Sequence, residues 1–239
     1  ELEMPAICFT DHCDLDYPGN PDLFQLDFPN YFSTLMELKE IYASKINVLI
    51  GVEMGLQPHL EKQINSLLQS YSFDYVIGST HTVNGKDPAF PSFYEQGSVH
   101  ERLHEYFTTI LSNLNACKNF DSCGHLDYAV RYCPQKDAQF QLDYHQETID
   151  EILYFLIKHQ KSLEVNTGGY RCGLNRSNPG KSILKRYFAL GGSQLTIGSD
   201  AHTIPYLGAE FARTKEQLKE IGFRYYCIYE QRKAKYLPL

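Results

Sequence analysis

Short apolar runs alternate along the chain with stretches whose apolar positions recur every three to four residues, and the alternation continues from one end to the other. Residues 6–12 (AICFTDH) read as a strand, 30–44 as a helix with Phe32, Leu35, Met36 and Leu38 near one side, and 47–54 (NVLIGVEM) as a second strand. The unit repeats. Leu60, Ile64, Leu67 and Leu68 give 59–70 a helical period, 74–83 (DYVIGSTHTV) is again strand-like, and a loop holding Pro88, Pro91 and Gly97 is expected to form a lid or rim. A helix at 99–117 leads to a short strand at 122–127, and a helix at 145–160 leads to the strand SLEVNTGG. After a glycine-rich stretch, 168–180, come a helix carrying Ile183, Leu184, Tyr187 and Phe188, the strand QLTIGSDAH, a helix near 206–221 and an aromatic strand, FRYYCIY. Near-continuous apolar strands separated by amphipathic helices define an α/β protein with a parallel sheet, as a barrel or a doubly wound sheet. No phosphate-binding glycine turn follows the first strand, which favours the barrel.

Composition narrows the setting. A chain of 239 residues is long enough for a large core and fits one domain, 1–239, since α/β barrels often run to this length. A formal net charge of −7 disfavours a nucleic-acid partner, and the sequence holds no eighteen-residue apolar run that would suggest a membrane span. The seven cysteines include no Cys-x-x-Cys pair, which suits a reducing, cytoplasmic compartment. Glu1 is not an initiator and the chain begins almost inside a strand, so we expect the N-terminus to be cut.

Six metal-capable side chains stand at or near strand ends: His12, Glu53, His81, His125, Asp200 and His202. A fold that delivers strand ends to one face gathers such groups into one pocket. Imidazole and carboxylate together suit zinc, manganese or iron, and Glu53 has two oxygens with which to bridge two cations. Two such metals can lower the pKa of a shared water and clamp a phosphate ester. Asp11 and Asp127, one or two residues from proposed ligands, are placed to orient an imidazole or pass a proton. Arg171 and Arg176 lie in the loop GGYRCGLNRSNPG and are candidates to fork onto a phosphate. A rival motif, His100-Glu101-Arg102-Leu103-His104, matches the His-Glu-x-x-His spacing of zinc proteases. Its histidines fall at the solvent edge of the helix stripe Leu103, Phe107, Ile110, Leu111 and Leu114, and no downstream Gly-x-x-His follows, so we set it aside. His59, His145 and His159 are expected to face solvent.

The segments FTDH, IGVEM, IGSTHTV, GHLD, EVNTGG and IGSDAH, in this order, resemble the polymerase and histidinol phosphatase (PHP) family, in particular its histidinol-phosphatase branch. The resemblance implies a distorted (β/α)7 TIM-like barrel binding two to three divalent ions (zinc, manganese or iron). Glu53 would bridge, with His81 and His125 completing one site, His12 and His202 in a second, and Asp200 in a third shared with Glu53. Glu53, Asp200 and His202 would then carry catalysis, and the substrate would be a small phosphate ester, L-histidinol phosphate, attacked by a metal-bound hydroxide. The family opens with a His-x-His strand that this sequence does not contain, so we expect the first strand-helix unit to be absent from it. A PHP-type nuclease and an inactive PHP binding domain are the alternatives.

Overall fold

The computed structural model describes residues 4–136 and 140–239. Strands β1 (Ala6–Phe9), β2 (His12–Cys13), β3 (Asn47–Gly55), β4 (Tyr75–Ser79), β5 (Ser122–Cys123), β6 (Ser162–Asn166) and β7 (Leu195–Gly198) are all parallel, in the order β1-β3-β4-β5-β6-β7, with β2 also on β3. Helices α1 (Phe28–Ile41), α2 (Glu61–Ser70), α3 (Val99–Ala116), α4 (Gln146–Lys158), α5 (Lys181–Ala189) and α6 (Phe211–Ile221) fill the crossovers. The strands are short and buried on both faces, which explains their near-continuous apolar character.

The sheet curls into a half-barrel. Side chains from strands far apart in its order meet inside it: the Tyr75 hydroxyl lies 3.0 Å from Thr196 Oγ1, and Ser122 Oγ is also 3.0 Å from that atom. The core outside the curl is built from helix faces, among them Leu103, Phe107 and Ile110 of α3 against Ile149, Ile152 and Leu153 of α4.

Several boundaries differ from the pattern. The first strand pauses between Phe9 and His12, where Asp11 turns its carbonyl to accept from Glu53 N at 3.0 Å. The expected strand 122–127 pairs over two residues only, because the chain leaves the ladder after Cys123 and turns into a 3-10 helix at Tyr128–Tyr132. The last helix starts at Phe211, not 206. The aromatic strand FRYYCIY is not part of the parallel sheet: β8 (Tyr225–Glu230) pairs antiparallel with β9 (Lys233–Pro238). This hairpin lies across the N-terminal ends of the barrel strands. Asn47 Nδ2 donates to Glu230 at 2.7 Å, Gln231 N to Asp74 at 3.0 Å, and Ser162 Oγ is 2.8 Å from the Tyr229 hydroxyl. With that end plugged, the strand C-termini form the open face.

Candidate metal centre

On that open face the β2–β3 register puts His12 directly opposite Glu53. His81 stands two residues beyond β4, and His125 two residues beyond β5. Glu53 Oε1 is the common point: it accepts from Ser79 Oγ at 2.7 Å and lies 2.9 Å from His125 Nε2 and 3.2 Å from His81 Nε2. The other oxygen, Oε2, is 3.6 Å from His12 Nδ1. Two glycines make room for this. A side chain at Gly124 would strike Ser79 Oγ, and one at Gly55 would strike Asp14 Oδ1.

Asp14, absent from the sequence-level site, belongs to this cluster. Oδ1 lies 2.7 Å from His81 Nδ1 and Oδ2 3.4 Å from His12 Nδ1. His12 and Asp14 are two apart, the period that returns a strand's side chains to one face, and that spacing was the available signal. Two groups of potential ligands thus converge: His12, Asp14 and His81, and Glu53, His81 and His125.

Electrostatics are dominated by burial and by these pairings. Burial opposes ionisation of Glu53, but the neighbouring His12 and the hydrogen bonds from His125 and His81 outweigh it and hold the carboxyl well below its usual range. Burial likewise works against Asp14, yet His81 and His12 bring it down to about 2. His81 is raised well above the ordinary imidazole value by Asp14 and Glu53, against its own desolvation. Such pairing of buried charges is what a cation would replace. The donor set fits a divalent metal: His12 Nδ1 and Asp14 Oδ2 are buried without hydrogen-bond partners, and nitrogen with carboxylate oxygen is the set zinc prefers.

Asp200 and His202 border the same cavity of about 490 Å³, but they are not drawn into either ligand group. The His202 ring lies 5.9 Å from the His12 ring, its side chain is 68% exposed, and its Nδ1 is 3.0 Å from the Asp200 carbonyl. Asp200 has a left-handed backbone, φ 52°, and its carboxylate accepts from Arg131 Nη1 at 3.1 Å. Arg131 was not legible as a site residue. It is buried and holds Asn178 Oδ1 at 2.7 Å and Asn166 Oδ1 at 2.9 Å as well, so it ties three strand-end loops together. Asn166 also contacts Glu164, a buried carboxyl pushed upward by desolvation, which caps the His125 backbone N–H at 2.7 Å.

The two loop arginines separate. Arg171 clasps the turn after β7, donating to the Ser199 carbonyl at 2.7 Å and to the Asp200 carbonyl, and stands 3.6 Å from the Asp200 carboxylate. Arg176 instead donates to Asp127 Oδ2 at 2.8 Å. Asp127 is fully buried and also accepts from Asn178 Nδ2 and from Gly180 N. It fastens the loop where it was expected to orient His125, whose Nδ1 has no hydrogen-bond partner. Asp11 acts through its backbone carbonyl. The protease motif stays set aside, and one further expectation changes. Glu101 closes a capping box, accepting from Ser98 N at 2.6 Å, which occupies the carboxylate that a protease would need as its base. His145 is buried, not solvent-facing. All seven cysteines are free, and among the described residues no helix is long and apolar enough to cross a membrane.

A parallel half-barrel whose strand C-termini gather imidazoles around a shared carboxylate defines a metal-site α/β protein. Residues 1–168 match the model of the PHP domain, and the chain belongs to that family. It is 32% identical over 239 residues to a protein of Clostridium acetobutylicum named "Probable histidinol-phosphatase", spanning 99% of this chain and 89% of that one. It is 31% identical to the histidinol-phosphatase of Lactococcus lactis subsp. lactis, over 92% of this chain and 81% of the relative. The crystal structure of the histidinol phosphate phosphatase from L. lactis, in complex with zinc, L-histidinol and phosphate, superposes with a TM-score of 0.84 at 31% identity, covering 98% of this chain and 88% of that one.

Proposed function

We propose that the chain is a metal-dependent phosphomonoesterase that hydrolyses L-histidinol phosphate to L-histidinol and phosphate, a step of histidine biosynthesis, within one domain spanning residues 1–239. The observation that carries this reading is the placement of Glu53 Oε1 within 2.9 Å of His125 and 3.2 Å of His81, in a chain 31% identical to an enzyme crystallised with zinc and both reaction products. Two to three zinc, manganese or iron ions would be held by His12, Asp14, Glu53, His81, His125, Asp200 and His202. Bound cations supply Lewis acidity and lower the pKa of water.

The chain's own groups supply the rest. Asp14 fixes the His81 ring through Nδ1, which aims Nε2 at Glu53. Arg131 restrains Asp200, and Arg171, which holds the turn after β7 through the Ser199 and Asp200 carbonyls, keeps its charge 3.6 Å from that carboxylate, so we assign Arg171 to the ester phosphate. Arg176, already on Asp127, holds the loop. A formal charge of −7 disfavours a nucleic-acid partner, so the anionic ester would be recognised by local groups, and the enzyme would work in the cytoplasm.

The test is turnover of histidinol phosphate beside a dinucleotide and an aryl phosphate, with zinc or manganese supplied. Preference for histidinol phosphate supports the reading; selective cleavage of the dinucleotide, or no hydrolysis of any ester by the metal-loaded protein, refutes it.

A further inference from the structure

The histidines of the His-Glu-x-x-His match have no catalytic carboxylate, since Glu101 is held by its helix cap, but they do meet a third imidazole. His145, at the start of α4, is 2% exposed, and both of its ring nitrogens are buried without a hydrogen-bond partner. Its ring lies 6.0 Å from that of His100 and 6.3 Å from that of His104, and His100 Nδ1 is likewise buried and unpartnered. Phe107 and Phe140 pack against the same ring. A phenyl group would serve such packing better, because a buried polar atom left unpaired is destabilising.

We propose that His100, His104 and His145 form a second transition-metal site, taking zinc or a similar borderline divalent cation, built on α3 and the start of α4. None of the three lines the strand-end cavity. Positions 100 and 104 are four apart on one helix, the spacing that lets two imidazoles share an ion, and the third ligand arrives from the neighbouring helix. Burial, together with His100 and His104 beside it, holds His145 down to about 4, so its ring offers lone pairs and not a charge at neutral pH. Zinc–imidazole bonds of about 2.0–2.1 Å bring ligating ring centroids to roughly 5 Å, so binding requires His100 and His104 each to move toward His145 by about 1 Å. His104 is exposed and His100 half-buried, so both can rotate to meet the buried ring. Bound there, the ion pins α3 to α4 and satisfies one of the two ring nitrogens of His145.

The experiment compares the full chain with His104→Asn and His100→Asn, each dialysed against buffered zinc, then measured for zinc per chain by elemental analysis and for zinc-dependent change in Tm. Each variant is expected to hold one equivalent fewer than wild type and to lose part of the zinc-induced rise in Tm, while phosphatase turnover stays unchanged and reports an intact fold. Equal zinc content in all three proteins, or a loss in only one variant, overturns the proposal. Because the readout is stoichiometry at residues outside the strand-end cluster, it stands or falls separately from the substrate assignment.

Discussion

His81 Nε2 and His125 Nε2 lie 3.3 Å apart, and both face the same oxygen of Glu53. Both rings can donate to that oxygen only by holding their protons against one another, and a divalent ion held by His81, His125 and Glu53 would take the place of those protons. Glu53→Ala is therefore expected to lower metal content and phosphatase turnover together, by more than the roughly 10–100-fold typical of losing a residue that merely orients a ligand. Elemental analysis alongside steady-state kinetics checks this. Full turnover in the alanine variant would remove Glu53 from the site.

Much of this arrangement was readable before any coordinates. Strand ends are easy to find when a strand is buried on both faces, so the positions of Glu53, His81 and His125 followed from where the apolar runs of β3, β4 and β5 stop. What escaped were groups whose roles depend on long-range approach. Arg131 sits in a short 3-10 turn without periodicity, and its contacts reach Asn166, Asn178 and Asp200, which no local pattern links. His145 was misjudged because it precedes its helix, so the helical stripe gives no vote on where it points. The terminal hairpin was read as one more strand because an aromatic run signals β-structure without revealing its partner or direction.

Arg171 and Arg176 should part company in mutagenesis. Arg171 stands 3.6 Å from the carboxylate of Asp200, which borders the cavity, whereas Arg176 is paired with the buried Asp127. Arg171→Ala is expected to raise KM for the phosphate ester about tenfold or more, with a smaller loss of stability than Arg176→Ala, since the Ser199 and Asp200 carbonyls it releases are at an exposed turn. Arg176→Ala leaves a buried carboxylate short of a donor and is expected to cost about 2 kcal/mol of stability. Urea unfolding and a KM-against-kcat comparison distinguish the two. Should Arg176→Ala raise KM while leaving stability untouched, the assignment is reversed.

Glu101 tests the rejected protease reading. Its carboxylate accepts from Ser98 N and takes the reciprocal place in the capping box, which holds it below its usual range through the Ser98 hydrogen bonds. Glutamine can fill the same place. Glu101→Gln is expected to leave turnover unchanged, and Glu101→Ala to lower Tm slightly, on the order of 2 °C, again without loss of turnover. A hydrolytic defect in a folded Glu101→Gln protein would reinstate the motif.

Asp121 and Arg232 join the start of β5 to the terminal hairpin. The Arg232 guanidinium donates to Asp121 Oδ2, whose oxygen also accepts from Val76 N at 2.8 Å, and Arg232 N donates to the Asp74 carbonyl at 2.9 Å. Burial pushes the Asp121 carboxyl upward from 3.8, and Arg232 opposes it without cancelling it. A carboxyl raised in the folded state binds its proton more tightly there, so this group's contribution to stability falls as pH climbs above 3.8. Removing the counter-charge steepens that fall. Arg232→Ala is therefore expected to cost about 2 kcal/mol near pH 7, trimmed by the partial exposure of the guanidinium, and less as pH falls toward 4, because protonation of Asp121 removes its need for a partner. Urea melts of both proteins across that range give the comparison, and in an Asp121→Asn background the pH dependence should flatten. An equal loss at both ends of the range would mean that the hairpin is held by its backbone contacts to Asp74 and not by this ion pair.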